Sequence, residues 1–412
     1  MIRTTPFHER LAPLNHTGLW QHWSGHLASV KYQMDDKFEY FAVRNAAGII
    51  DTSPLYKYRI TGRDAEVFLA GMLARDVRSC RDGQAQYTLW CDDHGHIVED
   101  GVVFRFSSDH FLLTSAEPNL AWFADRIGRL KVSIEDVSAQ FGSLALQGPR
   151  SRGILAGLDD AVGSIGYFHH TPAKMGGAAV NVSRTGYTGD LGYEVWVEAD
   201  DANAVFDAMV EASAGQGVIP VGMTALAMLR IEAGLVLIDV DFHCSRFAFT
   251  DEERTTPTEL GLGWMLKDIA TVDRAFIGRD AIRRELADGT SRWKMVGLKV
   301  DWQDWDRRYR AEGIIPPKDE HPVVGEMMLY DDAAQRVGYT TSFMYSPSLQ
   351  RHIAMARVRP HLAAPGSTVH LEVTINHRYQ TVACEVARLP LFSPPRKTAS
   401  MTSHMTLQGG SA

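Results

Sequence analysis

Cysteine is scarce in this chain: Cys80, Cys91, Cys244 and Cys384 are the only four in 412 residues. None forms a CxxC pair, which argues against the common zinc and thiol-redox motifs, and four are too few for a disulfide scaffold. Reduced thiols in a cytoplasmic protein are the expectation. Long apolar runs are also missing. No stretch reaches the roughly 18 residues that a membrane helix needs, and Met1 to Arg10 is mixed and polar, without the apolar centre of a signal peptide. Positive charge is in deficit: 42 Lys and Arg against 50 Asp and Glu give a formal net charge of −8. A nucleic-acid partner, which leaves a basic footprint, is not expected. No strand–GxGxxG–helix unit occurs, so a dinucleotide-binding oxidoreductase lacks support. What remains is ordinary globular chain, 45% hydrophobic and 22% charged, long enough for two or three domains and a large core.

Strand and helix patterns interleave through the first part. Tyr56-Lys57-Tyr58-Arg59-Ile60 alternates as a strand does. Asp64 precedes a helical stripe of Val67, Phe68, Gly71 and Met72. Residues 86–90, 102–106 and 110–114 read as strands. Residues 200–212 read as a helix with Val205, Phe206, Met209 and Val210 on one face, and 220–232 as another that turns Leu226 and Leu229 inward. After Gly289-Thr290 the composition changes. From Trp293 to Arg388 short strands and turns dominate with almost no helical period, and Asp331-Asp332-Ala333-Ala334 forms a hairpin tip. Lys397 to Ala412, rich in Ser, Thr, Gly and Met, reads as a disordered tail.

The most informative stretch is Arg184-Thr185-Gly186-Tyr187-Thr188-Gly189-Asp190-Leu191-Gly192-Tyr193-Glu194-Val195-Trp196. Glycine at every third position permits positive φ and a close approach of backbone to a ligand. In the strand that follows, Tyr193, Val195 and Val197 face one way, Glu194 and Trp196 the other. A carboxylate beside a tryptophan on a buried face is costly unless something pairs with it. A planar heterocycle with two parallel N–H donors would do so, and the pattern alone equally allows Glu194 a solvent face. A second feature is the acid pair Glu99-Asp100, where a turn enters a strand. Only one of the two can look into a pocket; adjacent acids at a hairpin edge are otherwise commonly solvated.

These segments resemble, in the same order, the folate-binding aminomethyltransferase superfamily, whose best-known member is the glycine cleavage T-protein. The resemblance extends through Leu144-Ala145-Leu146-Gln147-Gly148-Pro149, Leu229-Arg230-Ile231-Glu232-Ala233-Gly234-Leu235 and Thr256-Pro257-Thr258-Glu259-Leu260-Gly261-Leu262-Gly263-Trp264. It continues in Phe276-Ile277-Gly278-Arg279-Asp280-Ala281 and Gly338-Tyr339-Thr340-Thr341-Ser342, covering about Tyr40 to Pro394. It implies an α+β, multi-domain, T-protein-like fold: two interleaved α+β subdomains over 1–288, a C-terminal β-barrel over 293–395 and a tail over 397–412. It implies tetrahydrofolate as cofactor and no metal. It makes Asp100 the catalytic carboxylate, and Tyr87, Glu194, Arg230 and Tyr187 the cofactor-binding residues. Glu194 would pair with the pterin's N3–H and 2-amino group. Tyr87 reads equally as a core tyrosine, and Arg230 as an ion-pair partner of Glu232 or Asp190. A carboxylate at Asp100 would stabilise a cationic one-carbon donor and handle the proton released at the accepting nitrogen.

The chain also departs from the T-protein pattern. Pro54-Leu55 stands where the family has His-Met, and Leu226-Ala227 replaces an Arg-Asp pair. The loop from Leu235 to Arg254 carries Asp239-Val240-Asp241-Phe242-His243-Cys244 in place of the usual sequence. Leu55 and His243 are therefore expected to shape a substrate pocket, while the His243-Cys244 pair reads as incidental to catalysis. The folate-facing motifs are spared and the donor side is altered. The expected activity is transfer of a methyl group from a small methylated donor to tetrahydrofolate, a demethylase. The alternatives are an aminomethyltransferase giving 5,10-methylenetetrahydrofolate, with a carrier protein or an oxidoreductase as candidate partner, and a non-catalytic folate-binding protein. Against the last, Cys80 and Cys91 lack the Lys-Gly-Cys-Tyr surroundings of such proteins.

Overall fold

The computed structural model describes residues 2–267, 269, 271 and 274–400. Among them, three large sheets carry an α+β fold. The first is antiparallel, in the order Gln84–Cys91, Ile97–Ser107, His110–Ser115, Tyr56–Thr61 and Ser133–Asp136. The alternation of 56–60 is obeyed: Tyr58 and Ile60 are fully buried in a core shared with helix Ala65–Met72, and Lys57 points to the opposite face. The second sheet runs His170–Met175, Ala178–Ser183, Gly192–Glu198, Phe141–Gln147, Ala47–Asp51 and Val218–Pro220, the last pair parallel. Its strand Ala47–Asp51 precedes the whole first sheet in the chain, so the two layers are interleaved. The third is a six-strand barrel of Arg336–Ser346, Met328–Tyr330, Thr368–Ile375, Arg378–Ala387, Lys294–Val300 and Arg351–Val358, closed by pairing of the first with the last. A short strand, Val323–Val324, adds to its rim. No helix among the described residues is long and apolar enough to cross a membrane.

Several local expectations are corrected. Asp64 stands at the N-cap, yet its carboxylate accepts the Lys131 backbone N–H at 2.7 Å and caps nothing. Val67 and Val210 lie on the outer faces of their helices, 59% and 44% exposed; Leu69 and Ala65 take the inner places around the first. Most conspicuously, a helix, Trp302–Ala311, sits inside the stretch expected to be all strand. Asp301 caps it by accepting from Gln303 and Asp304, and Trp302, Trp305 and Tyr309 line one face at i, i+3 and i+7. Trp305 inserts into the barrel core. Residues 397–400, expected to open a disordered tail, are held by Arg184, whose Nη2 donates to the carbonyls of Lys397 and Ala399 at 2.9 Å each. Residues 401–412 lie outside the described residues.

The three bodies meet at a buried ionic network. Glu232, at the C-terminal end of helix Met223–Ala233, is completely buried. It accepts from Arg44 Nη2 at 2.5 Å, from the Tyr40 hydroxyl at 2.6 Å and from Ser346 Oγ of the barrel at 2.5 Å. Arg44 also reaches Asp190 at 3.4 Å, and Asp190 is clamped by Arg396 at 2.7 and 2.8 Å. Removing one member of such a network strands buried charge, which costs about 3–5 kcal/mol. Glu232→Ala should therefore lower unfolding stability by about that amount in a urea titration. A loss below about 1 kcal/mol would show that the network is idle in the folded state.

Candidate functional site

The glycine turn is shaped by a side chain rather than by ligand access. Of its three glycines only Gly189 has positive φ, +74°, and a Cβ there would stand 2.5 Å from the Ala233 Cβ. Cβ atoms at Gly186 and Gly192 would meet the Gln147 amide at 2.1 and 2.2 Å. Gln147 passes between them, donating to the carbonyls of Thr185 (3.1 Å) and Tyr193 (3.3 Å) and accepting from Thr188 Oγ1 (2.9 Å). The turn is thus locked to strand Phe141–Gln147, and its other end to Arg44 through the Thr188 carbonyl at 3.0 Å.

That lock sets Glu194. Tyr193, Val195 and Val197 enter one core, while Trp196 packs with Phe104 and Ala85 on the other face, where Glu194 also points. Glu194 is half-buried, between the buried Tyr193 and Val195. Thr185 Oγ1 donates to its Oε2, and Oε1 has no hydrogen-bond partner among the described residues. Burial raises its pKa, opposed by the Thr185 hydroxyl and the charge of Lys57. A half-buried carboxylate with a free oxygen fits a ligand presenting adjacent N–H donors.

The acid pair divides as strand alternation requires. Glu99 is wholly buried and accepts from the backbone N–H of Asp100 (3.0 Å) and Glu117 (3.1 Å). Burial, then the neighbouring Asp100 charge, pushes it well above the usual carboxylate range. Asp100 faces the other way and is half-buried. Leu89 and Tyr87 lie opposite Asp100 and Val102 across the ladder, which makes Tyr87 and Asp100 diagonal neighbours. The Tyr87 hydroxyl donates to Asp100 Oδ2 at 2.6 Å. Burial raises the Asp100 pKa, and the hydrogen bonds from Tyr87 and Glu99 counter it only in part. Gly101 allows this placement, since a Cβ there would stand 1.9 Å from the Thr114 carbonyl oxygen.

Tyr187 joins this end. Its hydroxyl donates to the Val236 carbonyl at 2.5 Å, and it lies close enough to Arg230, Asp241 and Asp100 to feel their charge. Arg230 does not turn toward Glu194. It is 1% exposed and pairs with Asp241 at 2.6 Å and Ser342 Oγ at 2.6 Å. Glu232 and Asp190, the acids considered for it, belong to Arg44 and Arg396 instead. Asp241 is a site residue the sequence did not single out; it also accepts from Leu237 N at 2.9 Å and from Thr341 Oγ1. Its only signal was an acid eleven residues after an arginine that needed one. His243 is exposed, its Nδ1 3.5 Å from the Asp239 carboxylate, and faces none of these groups. Leu55 is half-buried and contributes its carbonyl, which accepts from Lys57 Nζ at 2.8 Å. A groove of about 670 Å³ runs elsewhere, lined by Asp92, His96, Glu285 and Arg292, and shares none of the site residues.

Two family models match the chain: the GCVT N-terminal domain over residues 13–268 and the glycine cleavage T-protein C-terminal barrel domain over 310–393. An aminomethyltransferase of Halothermothrix orenii is 33% identical over 358 residues, covering 85% of this chain and 90% of that protein. A trimethylamine-oxide aldolase of Ruegeria pomeroyi is 32% identical over 375 residues, covering 87% of this chain but 43% of that protein. In solved structures, the glycine cleavage system aminomethyltransferase T from Bartonella henselae superposes with a TM-score of 0.79 at 23% identity, over 97% of this chain and 99% of that one. The chain thus belongs to the glycine cleavage T-protein, or aminomethyltransferase, family of tetrahydrofolate-dependent one-carbon transferases.

Proposed function

We propose that the protein takes a one-carbon group from a small, cationic, methylated donor and passes it to tetrahydrofolate. The observation that carries this reading is Asp100: half-buried, held by Tyr87, and without a cationic partner among the described residues. A partly desolvated carboxylate beside the rings of Tyr87 and Tyr187 attracts a sulfonium or ammonium group. Such a donor leaves as a neutral molecule once the methyl group departs, so no general acid is required at its heteroatom. Bound tetrahydrofolate supplies the nucleophilic nitrogen that accepts the one-carbon unit. Glu194 and Tyr187 would help to hold that cofactor. Asp100, with Tyr87 donating to its Oδ2, would receive the proton.

Pro54-Leu55, standing where the family has His-Met, supports a freely diffusing donor over a lipoyl-borne one. The likeness to a trimethylamine-oxide aldolase favours an amine-derived one-carbon unit. The second reading, an aminomethyltransferase, draws on the likeness to proteins of that name over 82–85% of this chain and 84–90% of theirs. It uses the same Asp100. The two separate by product: mass spectrometry of the folate pool, with a panel of methylated ammonium and sulfonium donors, should show 5-methyltetrahydrofolate with one of them. Carrier-dependent 5,10-methylenetetrahydrofolate would establish the second reading instead.

Asp100→Asn should lower turnover by about 10²- to 10⁴-fold while folate affinity changes only a few-fold; unchanged turnover would remove Asp100 from the chemistry. Tyr87→Phe deletes a hydrogen bond that favours the ionised carboxylate, so the Asp100 pKa rises further. If ionised Asp100 is the active form, the rising limb of kcat/KM against pH moves to higher pH in this variant. A limb that stays in place or moves down contradicts the assignment.

A further inference from the structure

Lys57 is a buried cation that the site described above leaves unexplained. It is 0% exposed, and taking an ammonium out of water costs several kcal/mol unless something compensates. Two of its three N–H groups donate to the carbonyls of Ser53 and Leu55, each at 2.8 Å. No carboxylate lies within ion-pair distance of it among the described residues, although Nζ stands 5.8 Å from the centre of the Trp196 ring. Trp196 shares a strand face with Glu194, two residues away, so the ammonium borders the patch into which Glu194 points.

We propose that Lys57 is a positioning residue for the folate end of the site: its buried charge keeps Glu194 ionised, so that both carboxylate oxygens accept from the ligand's N–H donors. This rests on the reading of Glu194 as the pterin's partner. The carbonyl cradle fixes the ammonium where it acts through space without occupying Glu194 Oε1, which a direct ion pair would consume. The groups around it sort accordingly. Asp51 is already satisfied by Thr5 Oγ1 at 2.6 Å and Ser53 N at 3.0 Å. Asp136 is exposed and accepts from Ser138. His26, the remaining titratable neighbour, is held below its ordinary pKa by burial and by Arg3 and Lys57. Glu194 alone faces the ligand space with an oxygen to spare. The directions agree: burial lowers Lys57 to about 8, and burial raises Glu194 against the opposing Lys57 charge. Below about pH 8 the lysine is cationic, so its charge is in place as falling pH favours protonation of Glu194.

The test is the pH dependence of binding, read by calorimetry with 5-formyltetrahydrofolate as the probe. The proteins are the wild type, Lys57→Met, Lys57→Gln and Glu194→Gln, each checked by thermal melting. Wild-type affinity should be nearly flat from pH 6 to 8. Both Lys57 variants should bind about two- to five-fold more weakly than the wild type at pH 6 and recover most of that by pH 8, as expected if the Glu194 carboxyl holds its proton to a higher pH without the lysine. Glu194→Gln should bind weakly at every pH, and adding Lys57→Met to it should change nothing further. Lys57 variants whose affinity runs parallel to the wild type at all pH values would overturn the proposal, even if they melt lower. Failure of the wild type to bind the probe would instead overturn the reading of the site itself.

Discussion

Glu232 receives hydrogen bonds from three parts of the chain that are remote in sequence: Arg44 and Tyr40 of one helix, and Ser346 of the barrel. Through Arg44 the same network holds Asp190 of the glycine turn, and through Arg396 it holds the end of the described chain. Buried ion pairs of this kind add little net stability over well-packed apolar side chains, because desolvation offsets their attraction. What they impose is geometry. A guanidinium accepts only a narrow set of carboxylate positions, so sheet, helix and barrel can assemble in one relative placement.

The site inherits that placement. The barrel contributes Thr341, which with Leu237 N and Arg230 immobilises Asp241, and Ser342, whose hydroxyl accepts from Arg230. The glycine turn, fixed at one end by Gln147 and at the other by Arg44, contributes Tyr187 and leads directly into Glu194. Asp100 comes from the third unit, the five-stranded sheet, where it is set by Tyr87 and by the close strand approach at Gly101. No one of these units contains both ends of the site. On the proposed reading, a shift of an ångström between them would separate Glu194 from Asp100, a misplacement that costs enzymes dearly.

Patterns local to one element were legible in the sequence. Strand alternation placed Glu194 and Trp196 opposite the Tyr193 core face, and it separated Glu99 from Asp100. The family resemblance assigned the layers and the barrel. Contacts between elements were not legible. Gln147, the reason for Gly186 and Gly192, lies on another strand; the partner of Arg230 depends on how the loop after its helix folds back. The helix Trp302–Ala311 is a different case. Its aspartate cap and its aromatics at i, i+3 and i+7 are in the sequence, but a high density of charge hides the apolar stripe, and the surrounding strands set the expectation.

On the proposed reading the two ends of the site would use similar carboxylates for opposite tasks, and their neighbours differ accordingly. A group that only binds should stay ionised, which favours a full positive charge nearby; Glu194 has Lys57. A group that must take and release a proton works best when its proton affinity is raised toward the working pH. Such a group is better served by a neutral donor, and Asp100 has the Tyr87 hydroxyl. A guanidinium free to reach Asp100 would fix it as a weakly basic carboxylate. Arg230 lies in the same neighbourhood through Tyr187, but Asp241 and Ser342 hold its terminal nitrogens. On the proposed reading Asp241 would serve the chemistry without touching it: it neutralises Arg230 and leaves the proton affinity of Asp100 to burial, to its hydrogen bonds with Tyr87 and Glu99, and to the nearby charge of Asp241 itself.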